Sequence, residues 1–497
     1  MTPAPAATSR SRIRPSREES RSAEMDLHLL LARPGRGAVT PAGLESAAAE
    51  PLPPAPPPQS HLFDSSDLNS LPKQKWALVV PEGSKGDRLE SILKPLRELR
   101  ECQQEAPVEV LKVPPRMNEE QALQYRDRHL RPAARSMKAW PRYLLFAGEP
   151  DEVPFELQEA AGGDGACFVG RLAFEQEANY EAYVAKVVER ETRPGGAREA
   201  RVILASVADG SSATTGGHKH LVMPLGERCR KESRLGNFNA GAVTTEVVPK
   251  GSADPLLRLA GAPEPAVLFT LSHGLGAPPE GWRDAQQQRR EQGCLFLDGD
   301  KLALMPEDIG GRPFVPGGIW FYFACFGAGT PPRSIYQPWL EHLAERNPSN
   351  RDTLESLRIS RPLDGRPFVG QLARAALANP RGPVAIIAHH DIAFSYSFCD
   401  GVEGNNHAHR FVTPLAELVD GRRAGIALNA LSHFAREVDQ RIRLDDQKAA
   451  AAHRVPLRGD DLEIRRAHRW MERHDLMSYV LLGDPAAHLV LAGARDG

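Results

Sequence analysis

The feature that most narrows the possible folds is a set of short stretches that are apolar at consecutive, not alternate, positions. They include WALVV (76–80), YLLFAG (143–148), VILASV (202–207), AVLFTLSHG (266–274), GIWFYFAC (318–325) and VAIIAHHD (384–391). Runs this short, rich in β-branched and aromatic residues, fit strands covered on both faces. VEVLKV (108–113) and VTTEVV (243–248) add two more strands. Between them apolar residues recur at helical spacing. Leu89, Ile92, Leu93, Leu96 and Leu99 mark one helix, which Pro95 should kink. Residues 118–130, the stretch around Tyr183, Val184, Val187 and Val188, and residues 424–442 mark others. Asp254-Pro255 reads as an N-cap and first turn, and Thr413-Pro414 opens a short helix closed by Gly421. Strands alternating with helices predict an α/β fold, with a mostly parallel central sheet between helical layers.

The chain has 497 residues, enough for two or three domains. Residues 1–71 contain PLPPAPPPQS (51–60) and a charged stretch from Ser9 to Ser22 with almost no apolar content. Such composition cannot bury enough surface to offset ordering entropy, so this part reads as a flexible tail in preference to a partner-docking or cleavable pro-segment. Residues 72–195 form a smaller α/β subdomain that ends at TRPGG (192–196), and 196–497 a larger one in which the same grammar restarts. A net charge of −2 excludes a strong basic field for nucleic acid or acidic lipid. No run of about 18 apolar residues marks a membrane span. LHLLLA (27–32) is too short for a signal sequence and follows Glu24 and Asp26, so a cytoplasmic location is expected. Six cysteines occur without a C-x-x-C pair, which speaks against a zinc ribbon and leaves most of them as small buried hydrophobes.

In an open α/β sheet, ligands bind beyond the carboxyl ends of the strands. Two strands deliver reactive side chains there: one ends in His273, another in Cys325. A thiol needs a base to become a thiolate near neutral pH, and an adjacent imidazole supplies one. Their separation is 325 − 273 = 52 residues. Caspases carry Q-A-C-[RQG]-G with a histidine about 50 residues upstream. Phe323-Ala324-Cys325-Phe326-Gly327 matches at alanine, cysteine and glycine, with phenylalanine replacing glutamine. Gly327 and Gly329 would let the chain turn and approach a peptide closely. The backbone N–H groups of Gly274 and Cys325 would form an oxyanion hole. A cysteine ending an apolar strand is often only packing; the spacing, the two strand ends and the glycines are what favour chemistry.

Other motifs point elsewhere. His389 with His390, His407 with His409, and His218 with His220 could suggest a metal, but H-E-x-x-H is absent and they read as loop histidines, so no metal is expected. G-x-G-x-x-G, the P-loop and G-x-S-x-G are also absent, and no cofactor is expected. RDAQQQRREQG (283–293) reads as a mobile polar connection; Arg289 and Arg290 would make it a self-cleavage loop on a sharper reading.

Across Trp76–Leu491 the sequence resembles the caspase-fold (clan CD) cysteine peptidases, in particular bacterial gingipain-like and CHAT-domain proteins. FYFACFGAGTP (321–331) resembles the cysteine motif and is the most specific part; FTLSHGLG (269–276) resembles the histidine motif. YLLFAGEPDEVPFELQ (143–158) and GRLAFEQEANYEAYVAKVVERE (170–191) resemble the first subdomain, while GPVAIIAHHDIAFSYSF (382–398) and SYVLLGDPAAHL (478–489) resemble later strands. The resemblance implies a caspase-like three-layer sandwich preceded by a smaller α/β subdomain. It implies a cysteine endopeptidase acting on protein or peptide substrates, with Cys325 as nucleophile, His273 as base and acid, Gly274 at the oxyanion position and no required third member. In this fold the pocket for the residue before the scissile bond lies between two loops that here hold Asp209 and Asp391. Paired carboxylates there would favour cleavage after Arg or Lys. Asp209 reads equally as a turn residue or cap, and Asp391 as a solvated loop carboxylate. The rival readings are a catalytically silent scaffold binding a peptide or regulatory partner protein, and a cysteine hydrolase or transferase with a non-peptide substrate.

Overall fold

Ten strands form one sheet in the computed structural model, which describes residues 67–492 except 132–139, 194–195, 347, 349–350 and 453–458, together with 31–33, 35, 37 and 38. In chain order they are β1 (Trp76–Pro81), β2 (Glu109–Val113), β3 (Tyr143–Ala147), β4 (Phe168–Leu172), β5 (Ala200–Ala208), β6 (Ala240–Pro249), β7 (Ala266–Leu271), β8 (Ile319–Phe323), β9 (Ala385–His389) and β10 (Tyr479–Gly483). Their order across the sheet is β2-β1-β3-β4-β10-β9-β8-β7-β5-β6. Every neighbouring pair is parallel except β9 with β10. The sheet therefore consists of two five-stranded parallel halves whose carboxyl ends lie on opposite edges. β3, β4, β7, β8, β9 and β10 are buried at every residue, which their continuous apolar runs require, and helices cover both faces.

The last described strand pairs with β4, so residues 72–195 and the rest share one sheet and one large apolar core, while a second, smaller apolar cluster lies within residues 77–169. Buried polar groups fix the junction. Trp76 Nε1 donates to Asp484 Oδ1 at 2.9 Å, and Arg100 bridges Asp484 and Glu191. Trp76 and Arg100 are separated from Asp484 by nearly the whole chain, so these bonds tie its ends together.

Local signals account for most helices. The kinked helix is two, Ser84–Ile92 and Lys94–Gln104, broken at Leu93 with Pro95 in the first turn of the second. Asn118 and Gln121 form a capping box at Glu119–Tyr125. Asp254 lies inside Asp254–Ala260 and the cap is Ala253, so its carboxylate acts on the first-turn amides. The polar stretch 283–293 is not a mobile connection: Asp284 caps a helix over Ala285–Glu291, accepting from Gln287 N at 2.7 Å. Buried Gln288 ties it to Ser360 and Arg361. A bond inside a capped helix lacks the extended form a protease cuts, so the self-cleavage reading of Arg289-Arg290 loses its support.

Leu31–Arg33 and Gly37–Ala38 are strands in a second, small sheet with Gly274–Leu275, Leu295–Phe296 and Ala303–Leu304. The proline-rich stretch 51–60 and the charged stretch 9–22 lie outside the described residues. Among the described residues, no helix is long and apolar enough to cross a membrane.

Candidate active site

Four parallel strands of the second half deliver side chains to one edge. In sheet order, β9 is followed by Asp391, β8 by Cys325, β7 by His273 and β5 by Asp209 and Ser211. The register sets their spacing. Phe323 pairs with Leu271, and Ser272 N donates to Phe323 O at 3.2 Å. Two residues past that pair, His273 and Cys325 follow the ends of neighbouring strands, which lie about 4.8 Å apart. The backbones stay in contact there: a Cβ on Gly274 would lie 1.8 Å from the Cys325 carbonyl oxygen. Only glycine fits at 274.

Both reactive side chains are completely buried. His273 Nε2 is 2.9 Å from Ser211 Oγ and 3.6 Å from Asp209 Oδ2. Asp209 Oδ1 accepts from Ser211 N at 2.9 Å and from Thr214 Oγ1 at 2.6 Å. Ser211 in turn caps the helix Ser212–Gly217 through Thr214 N. The turn after β5 is thus a rigid polar cradle for the imidazole, built from an Asx turn and a helix cap. The Cys325 sulfur sits against the loop after β9: Ala393 N donates to Sγ at 3.2 Å, and the thiol faces Ala393 O at 3.5 Å.

The chain leaves Cys325 through a strained turn. Phe326, not a glycine, takes the left-handed conformation, at φ 58°. Its N–H donates to Asp391 O at 2.8 Å, and Ala328 N reaches His389 O at 2.7 Å. Gly327 is needed for contact: a Cβ there would lie 2.9 Å from the Tyr322 ring.

Asp391 lies on the site edge but is fully buried, not a solvated loop carboxylate. Its carboxylate accepts from Ile392 N at 2.7 Å and Ile335 N at 3.2 Å. Burial pushes its pKa up to about 6. Asp209 is also buried, on the far side of the imidazole. The two carboxylates flank the His273–Cys325 pair from opposite sides and do not meet.

The singled-out histidines disperse. His389 Nε2 is 2.8 Å from Asp475 O, and burial pushes its pKa down to about 3. Burial works against the charged form of His390 too, but its 2.8 Å bond to Glu159 raises it to about 9. His218 bonds Ser206 Oγ at 2.8 Å, and His407 lies 3.7 Å from Asp400. Among the described residues, no group of three or more His, Cys, Asp or Glu is placed to hold a metal.

Ser211, Ala393 and Asp475 entered no sequence motif. Ser211 lies in ADGSS, whose turn composition was readable although its partner was not. Ala393 acts through its backbone, which leaves no residue-type signal.

No protein-family model matches the chain, and no curated protein sequence matches it; the CHAT-domain part of the resemblance therefore has no counterpart there. Among solved structures, the chain overlaps the crystal structure of the Arg-specific cysteine proteinase gingipain R with a TM-score of 0.48 at 12% identity, covering 85% of this chain and 79% of that one. It overlaps the complex of the Porphyromonas gingivalis gingipain pro- and mature domains with a TM-score of 0.46 at 12% identity, covering 84% of this chain and 80% of that one.

Proposed function

We propose that the chain is a cysteine endopeptidase in which Cys325 is the nucleophile and His273 the proton carrier. The observation that supports this is the register of β7 and β8: Leu271 pairs with Phe323, and His273 and Cys325 each follow two residues later, buried at the carboxyl edge of a parallel sheet. Ser211 and Asp209 face Nε2, so Nδ1 is the ring nitrogen that serves the thiol. Cys325 attacks the scissile carbonyl, and the carbon–sulfur bond forms as the carbonyl π electrons move to oxygen. The N–H groups of Gly274 and Cys325 hold that oxyanion. His273, carrying the thiol proton, returns it to the leaving amine. Water then hydrolyses the thioester. Asp209, 3.6 Å from the ring, stabilises the imidazolium formed in between.

Cleavage after Arg or Lys remains part of the proposal, with Asp209 and Asp391 as the acids at this edge. Both already accept hydrogen bonds, Asp391 from Ile392 N and Ile335 N and Asp209 from Ser211 N and Thr214 Oγ1, so a basic residue would compete with those donors. Activity should follow a fluorogenic panel differing only before the bond, with basic residues cut fastest. Cys325→Ala should lower kcat/KM by at least about 10³-fold. A preference for Asp or Leu refutes the specificity, and full activity in Cys325→Ala refutes the mechanism.

A latent form of the same enzyme is favoured by a second observation. His273 and Cys325 have no exposed surface, and Leu31 is paired to Gly274 in a parallel strand. Gly274 lies between Leu31 and Leu295 in the small sheet, so chain flanks the proposed oxyanion position on both sides. A mechanism-based thiol probe should label wild type slowly, and a chain beginning at Asp67 faster. Equal rates refute latency.

A further inference from the structure

We propose that Asp475, distant in sequence from every candidate catalytic residue, is a positioning residue that sets the acidity of the Cys325 thiol through the backbone of the loop between them. The inference rests on the reading of Cys325 as the nucleophile.

Two consecutive amides carry the argument. Ala393 N–H donates to Cys325 Sγ at 3.2 Å, and the next amide, Phe394 N–H, donates to Asp475 Oδ1 at 2.8 Å. Asp475 Oδ2 accepts from Ser397 N at 2.8 Å and Ser397 Oγ at 2.5 Å. Four donors on one short loop are thus shared between a sulfur and a carboxylate. Adjacent peptide planes share a Cα, so the bond at 394, acting through the φ and ψ of Ala393, restricts the directions open to the N–H at 393. An N–H aimed at sulfur stabilises the thiolate more than the thiol, because a bond to a charged acceptor is roughly twice as strong as one between neutral groups. Both carboxylate and sulfur are fully buried, so water does not replace a lost donor.

Asp475 is itself held from behind. It lies near the end of the helix Gly459–Met477, just before β10. Its carbonyl oxygen accepts from His389, and the His389 Nε2 also lies 3.5 Å from Oδ1. Tyr336, Tyr396, Tyr479 and Glu472 are the other titratable groups acting on it. No cation is bonded to Asp475 among the described residues; its partners are amide and hydroxyl donors. That suits a group that orients a loop more than one that only ties two elements together by charge.

The test is the pH dependence of iodoacetamide alkylation at Cys325 in the full-length protein. It is followed by peptide mass mapping, with exposed Cys102 as the internal standard. Asp475→Asn turns an NH₂ group toward donors and should raise the Cys325 midpoint by about one pH unit, lowering alkylation at neutral pH about tenfold. Ser397→Ala removes the hydroxyl's bond to Asp475 and the one it accepts from Tyr479, keeps the Ser397 amide bond, and should shift the midpoint in the same direction, about two- to threefold in rate. Should Asp475→Asn fail to fold, Ser397→Ala decides alone. Unchanged midpoints in the folded variants overturn the proposal, and so does an equal change in rate at every pH, which is a change of access alone. The readout needs no turnover: a shifted midpoint in a chain that cuts no peptide, even when shortened to begin at Asp67, refutes the peptidase reading and leaves this one standing.

Discussion

Past the carboxyl ends of β1, β3 and β4 the chain carries Lys85, Glu149, Asp151, Glu152 and Glu175; past those of β5, β7, β8 and β9 it carries Asp209, His273, Cys325 and Asp391. Both edges belong to parallel strands of one sheet, and both collect polar groups. The first satisfies them as ion pairs near water: Lys85 with Glu152, Arg366 with Asp151, and Arg374 with Glu149 and Glu175. Lys85 and Arg366 are more than half exposed, and such pairs contribute about 0–1 kcal/mol each. The second edge is sealed, and its groups are held by amides, hydroxyls and each other. Two edges of the same architecture thus divide into one that is charged and solvated and one that is dry. The dry one carries Cys325 and His273 past the ends of neighbouring strands, where a donor placed about 3 Å from either has a large effect.

The largest expected difference between the edges comes from one substitution made on each. Gly274→Ala drives a Cβ into the Cys325 carbonyl, so either β7 or β8 must move. Peptide cleavage should fall about 100-fold or more, since misplacement of about 1 Å costs that much. Gly83→Ala, beyond β1, meets nothing within 4 Å but sits at φ 87°. It should cost about 1 kcal/mol of stability and leave kcat/KM unchanged. Equal loss of activity at both positions would show that the edges are not functionally distinct.

Next in size is Arg374→Met. Arg374 is nearly buried, and its removal strips Glu149 of its cation. Thermal or urea unfolding should show a loss of about 1–3 kcal/mol. Alkylation of Cys325 should keep its wild-type pH profile. A shift of that profile would mean that the solvated edge communicates with the dry one through β4 and β10.

How far the contrast was legible in sequence follows from what each edge is made of. The strand runs ending in His273 and Cys325 made the parallel sheet legible, because consecutive apolar residues are a local signal, and they singled out the two residues on which the proposed function rests. The insertion of β10 between β4 and β9 was not legible, since its parallel pairing at residues 171 and 482 and its antiparallel pairing with β9 depend on the whole core. Nor was the burial of Asp391: the same AHHDIA fits an open loop until Ile335, from another loop, supplies an amide. The turn after Cys325 was assigned to Gly327 and Gly329, whereas Phe326 adopts the strained conformation because Asp391 O and the packed ring of Tyr322 hold the chain on either side. Long-range partners, absent from any local window, decide these points.

The smallest predicted effect probes how dry the second edge is. His389 is fully buried at the end of β9, and burial holds its pKa down at about 3, against 6.5 in an unfolded chain. A histidine kept neutral by folding contributes stability that is complete above pH 6.5 and drains away as pH falls toward 3, because the unfolded chain takes up a proton the native protein refuses. His389→Gln keeps an amide donor for Asp475 O and does not titrate. The variant should be less stable than wild type at pH 7.5, with the gap closing by about 1 kcal/mol per pH unit between pH 6 and 4 in urea unfolding. Asp391 and Asp475, whose pKa values burial raises to about 6 and about 7, act with the opposite sign: their share is present below their unfolded values and lost as pH rises. They remain in both proteins, so the wild-type–variant difference isolates the imidazole. A gap that does not change with pH would mean that water reaches His389, and an edge open to water there could not keep the neighbouring loop, with its amide on the Cys325 sulfur, in a single arrangement.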